Sequence, residues 1–272
     1  MTVTATVAST APGAAVPTGT VAFSFGDGSP TASAPLTGGA ATVTHIYTSK
    51  TGSPFPITAT YSGDTNFTAS SGTDTQTVNK TATTTTVTTT PDPSVTGQTV
   101  TVRATVSSGS GTPTGTVTFS FGDGTGNSTA TLSGGIATIT HAYTAATGSP
   151  FTATATYTGS DSHGTSSGTD TQTVNKASTT TAVVSSPNPS STGDRVTVTE
   201  TVTPVAPATG TPTGTVTLAI PGRAPQTATL VNGTASTSFN PLPKGTHTVT
   251  ANFNGDANYA SSAGSTTQQV TN

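Results

Sequence analysis

PTGTVTFSFGDG at 113–124 has a near-duplicate in PTGTVAFSFGDG at 17–28. In the first, Val117, Phe119 and Phe121 alternate with Thr116, Thr118 and Ser120. A period of two places one set of side chains on one face of a β-strand. The Gly-Asp-Gly that follows supplies a tight turn. Working outward, SGTDTQTVNK at 71–80 recurs at 167–176, and both duplicates are 96 residues apart (113 − 17 and 167 − 71). A third, diverged copy runs from PTGTVTLAI at Pro212 to STTQQV ending at Val270, which lies 96 residues beyond Val174. A period of this size corresponds to one two-sheet β domain and is far longer than a solenoid repeat.

The second copy predicts seven strands. These are Thr83–Thr89, Thr99–Val106, Thr116–Phe121, Ser128–Leu132, Gly135–Tyr143, Phe151–Tyr157 and Thr169–Asn175. The first is ended by the turn Pro91-Asp92-Pro93. Val100, Val102, Ala104 and Val106 form one face, Thr101, Arg103 and Thr105 the other. Ala137, Ile139, His141 and Tyr143 share a face, as do Phe151, Ala153, Ala155 and Tyr157. Apolar-in, threonine-out alternation fits two antiparallel sheets packed on a shared core. No stretch sustains a 3.6-residue period, so essentially no helix is expected. The predicted fold is all-β: three tandem immunoglobulin-like antiparallel β-sandwich domains. They span 1–79, lacking its first strand, 80–175 and 176–272. The junctions TQTVNKTATTTT (75–86) and TQTVNKASTTTA (171–182) leave few linker residues. Strands of about 10 residues make a module roughly 35–40 Å long, so three end to end predict an elongated rod of roughly 100–120 Å.

Composition agrees. Hydrophobic residues are 30% and charged residues 6%, with a net charge of -3. Disorder usually accompanies high net charge; here Thr, Ser and Gly fill the polar share, and β-branched Thr suits a pleated, half-exposed surface. The seven Lys and Arg are scattered, so no nucleic-acid surface is expected. No apolar run approaches the roughly 20 residues of a membrane-spanning helix. With no cysteine, disulfides and thiol chemistry are excluded. TVTATVAS after Met1 lacks the n- and h-regions of a signal peptide; the expectation is a longer parent protein or an excised piece.

These stretches resemble the bacterial Ig-like domain repeats of group 3. The third copy carries the likeness in SPNPSSTGDRVTVTETV (186–202), PTGTVTL (212–218) and LPKGTHTVTANFNGDANYASS (242–262), and the second in TTPDPSVTGQTVTVRATV (89–106). SFGDG at 24–28 and 120–124, with THIYT (44–48) and THAYT (140–144), looks more like the PKD-type sandwich. The resemblance implies an immunoglobulin-like fold and a role in large secreted or surface proteins, and names no ligand.

Asp27 and Asp123 sit in Gly-Asp-Gly turns. A Ca²⁺ ion needs 6–8 oxygens, and each turn offers one carboxylate, so they read as turn caps. Asp64, Asp161 and Asp256 recur in the loops YSGDTNF, YTGSDSHG and FNGDANY and read as Asx-turns. His45 and His141 occupy equivalent positions; His163 and His247 are isolated. None has zinc or triad spacing. Glu200 is the one glutamate, and glycosidases need two carboxylates about one cleft. Lys80 and Lys176 lie at junctions, a poor setting for a buried isopeptide crosslink. Asn66, Asn127 and Asn232 head sequons of the kind chance supplies in a Thr-rich chain. No catalytic, metal or cofactor residue is assigned.

The expected function is a non-catalytic extracellular spacer, stalk or adhesin repeat, monomeric within a larger chain. The alternative is a carbohydrate- or ligand-binding accessory module of a secreted enzyme. Partners would be surface glycans or other proteins, without nucleic acid or membrane insertion. Tyr259 and Phe67 are the best exposed aromatics for a sugar, although a core role suits them better. Finally, the first copy has only Met1 before TVTATV, whereas the second has Lys80–Gln98 before its equivalent strand. The expectation is a missing first strand, by truncation or filled by a neighbour, with an open edge along Thr2–Val7 or Thr73–Val78.

Overall fold

The computed structural model describes residues 1–10 and 15–272. By compactness the chain divides into two units. Met1–Thr83, Ser107–Gly115 and Thr158–Thr165 form one; Thr84–Val106, Thr116–Tyr157 and Ser166–Asn272 form the other. The repeat itself appears three times, each with a core of its own. No helix occurs among the described residues.

The first copy comprises β1 (Thr2–Thr6), β2 (Thr20–Ser24), β3 (Ala32–Pro35), β4 (Ala40–Thr44), β5 (Phe55–Tyr61) and β6 (Ser70–Gln76). One sheet has the order β3-β2-β5-β6; the other holds only β1 and β4, paired antiparallel with Val3 opposite Val43. Val21, Phe23, Phe25, Ala41 and Tyr61 are its buried centre.

The second copy comprises β7 (Thr83–Thr90), β8 (Ser94–Val95), β9 (Thr99–Ser108), β10 (Thr116–Ser120), β11 (Ser128–Thr131), β12 (Ile136–Ala142), β13 (Phe151–Tyr157), β14 (Ser166–Gln172) and β15 (Val174–Asn175). The sheet β12-β9-β7 faces the sheet β11-β10-β13-β14. The four apolar residues of β9 and Val117, Phe119, Phe151 and Tyr157 are buried, as their alternation requires. One feature departs from the sequence reading. The chain does not simply turn at Pro91-Asp92-Pro93. It crosses to the opposite side and forms β8, which pairs parallel with β15. Two residues are too few to show a period. A buried side chain holds the crossover: Gln172 Nε2 donates to Pro91 O (3.1 Å), Ser94 Oγ (3.2 Å) and Thr173 O (3.0 Å).

The third copy comprises β16 (Thr179–Ser186), β17 (Ser190–Ser191), β18 (Val196–Pro204), β19 (Thr215–Ala219), β20 (Gln226–Thr229), β21 (Thr234–Phe239), β22 (Gly245–Phe253) and β23 (Ser262–Thr271). The sheets are β16-β18-β21 and β17-β23-β22-β19-β20. β23 runs unbroken where the second copy has β14 and β15, and Gln268 repeats the clamp of Gln172 on Pro187 O and Ser190 Oγ. The outward threonines form cross-strand hydroxyl pairs, such as Thr199 with Ser236 and Thr180 with Thr203. Such pairs are a unit of sheet stabilisation, which explains how a chain so poor in charge keeps its outer faces polar.

Candidate functional site

The residues able to do chemistry fall into three local arrangements. The first joins the FGDG turn to the strand that carries the histidine. β10 and β12 belong to opposite sheets, and the turn after Phe121 brings Asp123 to within 2.7 Å of His141 Nε2. A carboxylate only accepts, so the imidazole donates. His141 stacks on Phe121 (3.9 Å, 5°) and meets Tyr143 edge-on (4.7 Å, 90°), and Tyr143 stacks on Phe151. The first copy repeats the set: His45 to Asp27 at 2.7 Å, Phe25 stacked on His45, and Tyr47 between His45 and Phe55.

A histidine oriented by an aspartate is half of a nucleophilic triad, but the hydroxyls lie on the wrong side of it. Ser29 Oγ donates to Asp27 Oδ1 (2.6 Å) and Thr125 Oγ1 to Asp123 Oδ1 (2.6 Å); neither is bonded to the imidazole. The Ser29 hydroxyl, followed by the His45 imidazole and the Ser29 amide, holds the Asp27 carboxyl at about 2. For Asp123 burial pulls upward, and the bonds from Thr125 and His141 outweigh it. In the third copy the β18–β21 register places Phe239 opposite Val196, as His141 lies opposite Val100. Phe239 is buried, and Gly222 stands in the place of Asp123. Exchange of the aspartate-bonded histidine for a buried phenylalanine marks a packing position. The sequence reading kept His45 and His141 apart from the aspartates. The equal spacing of 18 residues in both copies (45 − 27 and 141 − 123) was the available signal.

The second arrangement is the loop between the last two long strands. Asp64 Oδ1 accepts from the amides of Asn66 and Phe67, and Oδ2 from the amide and hydroxyl of Thr18. Asp256 does the same with Asn258, Tyr259 and Thr213. The Thr18 amide, with the other three donors, keeps Asp64 well below the usual carboxylate range. Asp256 is lowered by the same four bonds against the opposing effect of burial. Asp161 is not the third member. Ser160 holds that position: its Oγ accepts from the His163 amide at 3.2 Å, and its own amide donates to His163 O at 3.0 Å. The loop YTGSDSHG carries its aspartate one residue late. The residue three further on fills the same space in each copy. Tyr259 is buried with its hydroxyl on Thr209 O, His163 is buried with Nε2 on Ser110 O, and Phe67 packs against the first core. Tyr259 and Phe67 therefore form no exposed aromatic platform.

The third is Glu200, which is 0% exposed. It lies on the inward face of β18 between Val198 and Val202. Both carboxyl oxygens lack a hydrogen-bond partner, and burial raises the group from 4.5 to about 7. From sequence alone Glu200 is weighed only as a glycosidase carboxylate, although the alternation Val196, Val198, Glu200, Val202 puts it on the apolar face.

His247 Nε2 bonds Pro243 O. Lys80 is exposed, and exposed Lys176 donates to Asp256 O. Asn66, Asn127 and Asn232 are exposed. Among the described residues no three or more His, Cys, Asp or Glu group as a metal site, and no helix is long and apolar enough to cross a membrane.

Similar solved structures include titin I-band domains I67–I69 (12% identity, covering 100% of this chain and 93% of that one, TM-score 0.38). Others are the fibronectin(III)-like modules of Clostridium thermocellum CbhA (19%, 68% and 93%, 0.29) and three N-terminal domains of the bacteriophage RB49 outer capsid protein Hoc (15%, 99% and 92%, 0.31). No curated protein matches. The sequence pattern of the bacterial Ig-like domain (group 3) matches residues 1–79, 84–175 and 183–271. The chain belongs to this family of bacterial Ig-like domains, present here as a tandem repeat.

Proposed function

We propose that the chain is a non-catalytic spacer, a stalk or adhesin-repeat region held outside the cell, which sets the distance between whatever lies at its two ends. The observation that carries this reading is the use made of its polar side chains. Asp64 and Asp256 each tie one backbone segment to another within a copy, and Asp27 and Asp123 each join a turn to the histidine of a strand 18 residues on. Each set recurs in two of the three copies, the first around the first and third cores and the second around the first and second. A spacer needs repeated modules with cores of their own and exposes few groups for chemistry.

The test is to pull the chain between its ends. A spacer of independent sandwiches gives successive unfolding events, each releasing about 300 Å of contour for some 90 residues. A single event, or extension without resistance, would refute it. Antibody labelling of intact, unpermeabilised cells tests the location. Labelling only after permeabilisation contradicts an extracellular stalk.

A further inference from the structure

In the second copy β7 lies along β14 as well as pairing with β9. Thr85 Oγ1 and Ser166 Oγ share a hydrogen bond of 2.7 Å, and Asp170 Oδ2 accepts from the amide (2.7 Å) and hydroxyl (2.9 Å) of Thr89. A Cβ on Gly168 would overlap the Thr85 carbonyl. The third copy repeats this closeness: Ser262 Oγ bonds Thr179 and Thr181, and Gly264 lies against the Thr181 carbonyl. The strand that fits has a fixed pattern. Its inward residues are Thr83, Thr85, Val87 and Thr89 in one copy, and Thr179, Thr181, Val183 and Ser185 in the other.

The first copy keeps the receiving residues without the strand. Ser70, Gly72, Asp74 and Gln76 stand 96 positions before Ser166, Gly168, Asp170 and Gln172. A Cβ on Gly72 would meet nothing within 4 Å. β6 is exposed along nearly its whole length, whereas β14 alternates. Val3, Ala5 and Val7 are half-buried, and their counterparts Val102, Ala104 and Val106 are buried. Between β1 and β6 lies a groove of about 290 Å³, floored by Phe23 and Ile57 and edged by Gly72 and Asp74.

We propose that this groove is a strand-acceptor site. Its occupant is an extended, otherwise unpaired peptide of the repeat's own type, with Thr, Thr, Val and Thr at alternate inward positions, completing the sheet by strand addition. Asp74 would take the backbone amide that Asp170 takes from Thr89, and Gln76 would clamp the exit of the strand as Gln172 does. A second folded copy of the chain is a poor donor, because its β7 and β16 are already paired with β9 and β18.

A fluorescent peptide spanning Thr81–Asp92 is titrated into the full chain, with hydrogen exchange read at Thr2–Thr6 and Ser70–Gln76. The proposal expects saturable binding and new protection at both strands. A Cβ at Gly72 meets nothing within 4 Å in the free protein, and Gly72→Val should weaken binding about tenfold or more. Val87→Asp in the peptide should do the same with the protein unaltered, so the test survives if the protein variant fails to fold. No saturable binding, binding indifferent to both changes, or protection acquired without peptide in a dimer of the chain would overturn it.

Discussion

Glu200 lies opposite Ala235 across β18 and β21, where the second copy pairs Ala104 with Ala137. Its other register neighbour, Val183 on β16, is also uncharged. A carboxyl buried without a partner favours its neutral form, which is why its folded pKa stands near 7 against an ordinary 4.5. The sign follows by linkage: the stability linked to the neutral form is complete below about 4.5 and is lost as pH rises through 7. The third copy should be on the order of 1–2 kcal/mol more stable at pH 5 than at pH 8. Denaturant melts of a chain with Glu200→Gln should lose this dependence.

Gly168 and Gly264 receive the first strand of their copies, and Gly72 has an empty approach. Gly168→Ala and Gly264→Ala should each cost about 1–3 kcal/mol, because backbone must move to admit the methyl. Gly72→Ala should lie within about 0.5 kcal/mol of the parent. Copy-resolved hydrogen exchange compares the three.

Asp256 accepts four hydrogen bonds, from Thr213 and from the Asn258 and Tyr259 amides. Asp256→Ala should destabilise the third copy by about 2 kcal/mol, since the amides lose a charged acceptor. Asp161→Ala should be near neutral, because Ser160 holds the structural position. Equal losses in thermal melts would mean the loop correspondence is wrong.

Phe151 packs on Tyr143, ring centroids 5.0 Å apart, within the second core. Phe151→Ala should cost about 3–5 kcal/mol through lost transfer energy and a cavity. A shift below about 1 kcal/mol in the denaturant midpoint would contradict the assigned core face.

The strand faces were legible because period-two alternation is local: β9, β10 and β13 bury the residues that it names. What escaped depends on contacts distant in sequence or on elements too short for a period. β8 is two residues long and is fixed by Gln172, some 78 positions away. The Asp123–His141 pair needs the two sheets brought together. Ser160 displaced Asp161 because the loop motif is anchored by its spacing to His163 rather than by its aspartate. Glu200 was visible in the alternation, but a charged residue on an apolar face runs against the burial expected of its type.

A spacer of this kind needs its three sandwiches, each with a core of its own, set in line. Small-angle scattering of the monomeric chain in solution tests that directly. Modules in line should give a maximum dimension of roughly 100–120 Å. A maximum dimension of about 65 Å or less, with a radius of gyration near the 18–19 Å or so of a compact globule of this length, would contradict it.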